Sequence, residues 1–100
     1  MYKYKETKQA LKDWEKIKSM SKSVKERFKD LILDILDSPR NLDTIGKPEE
    51  LKHKKIPTFS RRLTDNDRIA FEIRPGFEYD MPEEEEIVIF LQYLGHYADK

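Results

Sequence analysis

Between Gly46 and Tyr97 the chain threads acid–base and cationic side chains through short apolar runs: G-K-P-E-E-L-K-H, then S-R-R-L-T-D-N-D-R-I-A-F, and near the end G-H-Y. Arginine and lysine grip phosphate oxygens, arginine through a planar fork and lysine as a point charge. A glutamate can accept a proton, and histidine is the side chain whose ordinary pKa lets it give one near neutral pH. Glu49 sits in a loop among prolines and lysines, Arg68 opens a strand on its polar face, and His96 follows the last apolar run. Each has an ordinary explanation when taken alone: a solvated carboxylate, a surface cation, a bystander near a chain end. Together they form a base, a clamp and an acid on one small basic sheet, and RNA cleavage is the economical reading. RNA carries its own nucleophile in the 2′-hydroxyl. A protein has only to deprotonate that oxygen, steady the phosphorane charge and protonate the leaving 5′-oxygen.

Other chemistries lack their signatures. His53 and His96 are the two histidines, and neither stands in an H-x-x-H or H-E-x-x-H spacing. No metal ligand set and no cofactor are therefore expected. There is no Gly-rich phosphate loop and no G-x-S-x-G elbow. The absence of cysteine removes disulfides and thiolate metal clusters and suits a reducing compartment.

The elements that must position these residues follow from the apolar pattern. Ala10, Leu11, Trp14 and Ile17 recur at three- and four-residue spacing, which predicts an amphipathic helix over 7–19. Ser23 with Glu26 is a capping-box candidate for a second helix, whose stripe Val24, Phe28, Leu31, Ile32, Ile35 and Leu36 runs to Asp37 before Pro39 stops it. Residues 58–64, 68–73 and 86–94 read as strands, separated by turn signals at D-N-D and P-G, and residues 2–5 are a candidate for one more. Ile69, Phe71 and Ile73 alternate with Arg68, Ala70 and Glu72, so that strand has one apolar face. The stretch 38–57 reads as a long irregular loop, a type more often functional than merely connective. The expected architecture is α+β: a two-helix N-terminal hairpin packed on a mainly antiparallel, twisted sheet of about four strands, all in one domain over residues 1–100.

Composition bounds the rest. One hundred residues with 37% hydrophobic and 40% charged side chains imply a small core under a heavily charged shell. Formal net charge is zero, yet the charge is not evenly spread. Lys47, Lys52, Lys54, Lys55, Arg61, Arg62 and Arg68 make a basic block, and an acidic segment with Glu78, Asp80 and Glu83–Glu86 lies beside it. Apolar runs such as Ile87–Leu91 are too short to span a bilayer, and M-Y-K-Y-K-E-T-K has no apolar signal-peptide core. The expected location is the cytoplasm, with no membrane partner.

The order and spacing of these motifs resemble the ribosome-dependent mRNA endonuclease toxins of the RelE superfamily, YoeB/Txe branch, over nearly the whole chain. The resemblance implies roles. Glu49, the glutamate after proline in G-K-P-E-x-L-K-H, would be the general base, Arg68 the transition-state stabiliser and His96 the general acid. Tyr97 would position or stack the substrate base. In S-R-R, Arg62 and with it Arg61 would bind the RNA backbone, joined by Lys47, Lys52 and Lys54. The resemblance further implies cleavage of mRNA in the ribosomal A site and inhibition of translation. It implies a cognate antitoxin that folds onto the toxin, contact with operator DNA through that antitoxin, and compatibility with a homodimer. The alternative is a catalytically silent relative acting with its antitoxin as an operon repressor or interaction domain.

Overall fold

In the computed structural model, which describes residues 1–97, strand β1 (Lys3–Glu6) leads into two helices, α1 (Lys8–Ile17) and α2 (Lys22–Asp37). Four strands follow: β2 (Glu49–Glu50), β3 (Thr58–Thr64), β4 (Asp67–Pro75) and β5 (Glu86–Gln92), with a 3-10 turn at Gly76–Tyr79 between the last two. They form one sheet in the order β1-β5-β4-β3-β2, antiparallel except that β1 runs parallel to β5. The α+β expectation holds. The fifth strand comes from the short β2, which the irregular 38–57 loop concealed because a two-residue ladder has no periodicity of its own.

The helices start where side chains can satisfy free backbone N–H groups. Thr7 accepts from Ala10 N, and Ser21 accepts from Val24 N. Ser21 therefore caps α2, two residues before the Ser23 of the expected capping box. The inward face of α1 is Ala10, Asp13 and Ile17, all buried. Leu11 and Trp14, expected in the same stripe, are half exposed on its flank, and Trp14 stacks on Phe28 of α2 at 5.4 Å.

Packing joins the layers. Phe59, Phe71 and Phe90 line up across β3, β4 and β5 on the helix side, with Phe59–Phe71 centroids 5.8 Å apart and Phe71–Phe90 6.1 Å. They share one core with Ile17, Leu31, Ile35, Leu63, Ile69, Ile73 and Val88. The side chains on the other face of the sheet are therefore left free of the hydrophobic core. No helix among the described residues is long and apolar enough to cross a membrane.

Candidate active site

Strand register decides which polar residues meet. Glu49 pairs with Ser60, Ser60 with Ala70, Arg62 with Arg68, and Ala70 with Gln92. Paired residues share a face, and alternate residues along a strand share it too. Glu49, Ser60, Arg62 and Arg68 thus occupy the face turned away from the helices, and Gln92 joins them because a register shift between Ala70 and Phe71 breaks the alternation after Phe90.

Arg68 is the centre of this face, with its side chain only 12% exposed. Its Nε donates to Ser60 Oγ at 2.8 Å, and its Nη2 donates to the Lys47 carbonyl at 2.8 Å and the Ser60 carbonyl at 3.3 Å. Two edges of the fork are thereby locked to β3 and to the loop before β2. Nη1 makes no hydrogen bond among the described residues and lies 3.9 Å from Glu49 Oε1. Burial pulls the Arg68 pKa below its ordinary value; the Glu49 charge opposes this, and the Arg62 charge adds to it. An arginine starts so high that Arg68 stays a cation near neutral pH. A desolvated, immobilised guanidinium with one open edge is suited to an anionic oxygen.

Glu49 is 59% exposed and reaches this position through the backbone of the preceding loop. Gly46 has φ +84°, and its carbonyl accepts from Arg62 N at 2.6 Å. A Cβ at Gly46 would stand 2.6 Å from Leu31 Cδ2. Lys47 also has positive φ, and its carbonyl is the one that holds Arg68. The loop therefore folds tightly against β3 and delivers Glu49 beside Arg68.

His96 arrives from the other side of β4, after β5. The Arg68 N–H donates to the Gly95 carbonyl at 2.9 Å, so the G-H-Y turn is stitched to the head of β4. His96 is exposed and Tyr97 half-buried, with Lys54 Nζ 6.0 Å from the Tyr97 ring centroid. Lys54 brings the 51–57 loop to Tyr97. Lys47 and Lys52 are exposed, and Arg62 is half-buried beside Arg68.

Arg61 does not belong to this set. Its side chain is 1% exposed and points to the helix layer, where Nη1 donates to Asp34 Oδ2 at 2.7 Å and the Ile45 carbonyl at 3.1 Å. It cannot reach an RNA backbone, and the expected phosphate contact is corrected to a structural ion pair. Period two places neighbouring arginines on opposite faces, so only Arg62 faces outward. Burial raises the Asp34 pKa, but the hydrogen bonds from Arg61 and Thr44 and the Arg61 charge outweigh it and hold that carboxyl below its ordinary value.

Several contributors carry no signal in the sequence. Ser60 and Gln92 are ordinary polar strand residues until the strands pair. Asp13 accepts from Tyr93 N at 2.9 Å and Leu94 N at 3.1 Å, tying α1 to the chain after β5. The Tyr93 hydroxyl donates to Glu6 at 2.6 Å; burial first, and then this carboxylate, push its pKa far above the ordinary phenol value.

Comparison with known proteins places the fold and the family. The fold is similar to a YoeB/ParE toxin from Agrobacterium tumefaciens, with a TM-score of 0.74 and 25% identity, covering 95% of this chain and 99% of that one. It is similar to a chain of the heterotetrameric YoeB–YefM toxin–antitoxin complex from Staphylococcus aureus, at TM-score 0.69 and 22% identity over 97% of this chain and 99% of that one. It also resembles a chain of the archaeal RelE–RelB complex from Pyrococcus horikoshii OT3, at TM-score 0.64 and 17% identity over 94% and 93% of the two chains. No curated protein matches the chain significantly. The family model described as YoeB-like toxin of bacterial type II toxin–antitoxin system matches residues 6–97, from the end of β1 to the tyrosine after His96. With that span matched, the chain belongs to the YoeB-like toxins of bacterial type II toxin–antitoxin systems.

Proposed function

We propose that this toxin is an endoribonuclease that cleaves mRNA in the ribosomal A site and thereby inhibits translation. Glu49 takes the proton from a 2′-hydroxyl as that oxygen attacks the adjacent phosphorus. Arg68 Nη1 faces the charge that develops on the phosphorane oxygens. His96 gives a proton to the departing 5′-oxygen as its bond to phosphorus breaks, and Tyr97 stacks on a substrate base. Protein groups supply base, charge stabilisation and acid, so the chemical step is assigned to them without a metal ion. Lys47, Lys52, Lys54 and Arg62 surround this centre and bind the RNA backbone.

The observation that carries the reading is the Glu49–Arg68 pair at 3.9 Å on the open sheet face, with the histidine turn hydrogen-bonded to the same arginine's backbone. The related Staphylococcus aureus toxin was solved both as a dimer and bound to YefM, and the archaeal RelE bound to RelB. On that basis a cognate antitoxin is assigned as the partner that holds this toxin inactive in the cytoplasm and links it to operator DNA, and a homodimer as a form of the free toxin.

End-group analysis of mRNA cut on programmed ribosomes tests the chemistry. Attack by the 2′-oxygen must leave a 2′,3′-cyclic phosphate upstream and a 5′-hydroxyl downstream. A 5′-phosphate on the downstream fragment means that water attacked instead, and overturns the assigned roles. No cleavage at all favours the silent repressor.

A further inference from the structure

A proton donor on an exposed segment after the last strand has no fixed position unless something holds its backbone. Beyond β5, side chains from three places do so. Asp13 of α1 accepts from the N–H groups of Tyr93 and Leu94. Asp67, at the head of β4, accepts from Gly95 N at 2.8 Å through Oδ1, while its Oδ2 accepts from Thr64 Oγ1 at 2.6 Å. Gln92 Nε2 lies 3.2 Å from the Arg68 carbonyl, 2.9 Å from that of Leu94, 3.2 Å from that of Gly95 and 3.4 Å from that of His96. Its two protons are shared among four acceptors. An oxygen in the same place would face four carbonyl oxygens, so electrostatics fixes which end of the amide points there. Gly95, at φ +90°, completes the turn in a conformation that glycine adopts without strain.

We infer that Gln92 and Asp67 are positioning residues: together they clasp the 93–96 turn to the head of β4 and hold His96 in a fixed relation to Arg68. The clasp binds both partners at once, because Gln92 takes the carbonyl of Arg68 as well as that of His96. Its function rests on the reading of His96 as general acid. The contacts of Gln92 and Asp67 are to this turn and its supports, so their effect belongs on the chemical step and not on substrate affinity.

The test is single-turnover cleavage of mRNA on purified ribosomes, with toxin concentration varied to separate the maximal rate from half-saturation. Gln92→Glu keeps the shape but sets a carboxylate oxygen among the four carbonyls. It should lower the maximal rate about 10–100-fold through misplacement of the acid, with half-saturation and melting temperature near wild type. Asp67→Ala, which frees the Gly95 N–H, should do the same. Asp67→Asn keeps an oxygen for that N–H and should restore the rate. In a His96→Gln background, Gln92→Glu should add no further loss. Full activity of His96→Gln alone would overturn the acid assignment itself. An inactive His96→Gln beside wild-type rates for Gln92→Glu and Asp67→Ala would overturn the clasp alone. So would a loss that appears in half-saturation while the variants stay folded. Should Gln92→Glu fail to fold, the Asp67→Ala and Asp67→Asn pair decides the matter by the same readouts.

Discussion

Replacing Asp13 with alanine should destabilise the protein more than the loss of any exposed carboxylate. Asp13 is 2% exposed on the inward face of α1, and Oδ2 accepts from Tyr93 N at 2.9 Å and Leu94 N at 3.1 Å. Removal of the carboxylate orphans both donors. A buried N–H without a partner costs about 1–3 kcal/mol. The bond to Tyr93 N is fully buried, whereas that to Leu94 N lies nearer the surface and water can replace part of it. The total is therefore about 2–4 kcal/mol, against the roughly 5–15 kcal/mol that holds a native domain together. For a chain of this length the corresponding fall in melting temperature is about 10–25 °C. Asp13→Asn can keep one oxygen on both N–H groups. It loses the charge and turns its amide nitrogen toward Gln9, whose Nε2 donates to Asp13 Oδ1 at 2.9 Å and whose own amide can rotate to accept. It should therefore cost about 1 kcal/mol. Urea unfolding followed by circular dichroism reads both values, and an unchanged m-value shows that the same surface is exposed in each variant. A loss below about 0.5 kcal/mol for Asp13→Ala, the level of an ordinary surface substitution, would refute the reasoning. Equal losses for alanine and asparagine would show that the charge matters and the two N–H bonds do not.

Three further outcomes are expected. The double variant Arg62→Ala, Lys52→Ala should weaken RNA binding, and wild-type binding should fall steeply with salt through counterion release; unaffected binding in filter assays would place the RNA elsewhere. Asp34→Ala leaves the buried Arg61 guanidinium without its carboxylate and should cost roughly 2–3 kcal/mol at neutral pH, below the range for fully buried pairs because Asp34 is itself 32% exposed. The Asp34 carboxyl is held below its ordinary value in the folded state, so this stability is present above the unfolded-state pKa and is lost as pH falls through the folded one. Urea midpoints of the two proteins should therefore converge in acid, and a gap unchanged down to pH 3 would contradict the pairing. Gly46→Ala should cost about 1–3 kcal/mol, because alanine is strained at φ +84°. It should also slow cleavage, because the loop it distorts carries Glu49 and the carbonyl that holds Arg68.

Much of the fold was legible without coordinates, since helix and strand announce themselves within a few residues. The stripe from Val24 to Leu36 recurs at helical spacing, and Ile69, Phe71 and Ile73 alternate, because each pattern buries one face of one element. Glu49, Arg68 and His96 could be singled out for the same local reason: each sits in a short motif of unusual side chains. Pairing across the molecule is of another kind. Nothing in S-R-R tells which arginine turns inward, because a shift of one residue in register exchanges the two faces. The answer depends on Asp34, 27 positions earlier on α2, waiting where Arg61 arrives. Asp13 stands in the sequence as one more polar residue beside Trp14, and only the return of the chain after β5 gives its carboxylate two N–H groups to accept from. Gln92 likewise has four carbonyls around it only once β4 and the last turn lie side by side. Burying a polar group is unfavourable until its partner comes with it, and here the partners come from elements far apart in sequence. That meeting is decided by the tertiary structure alone.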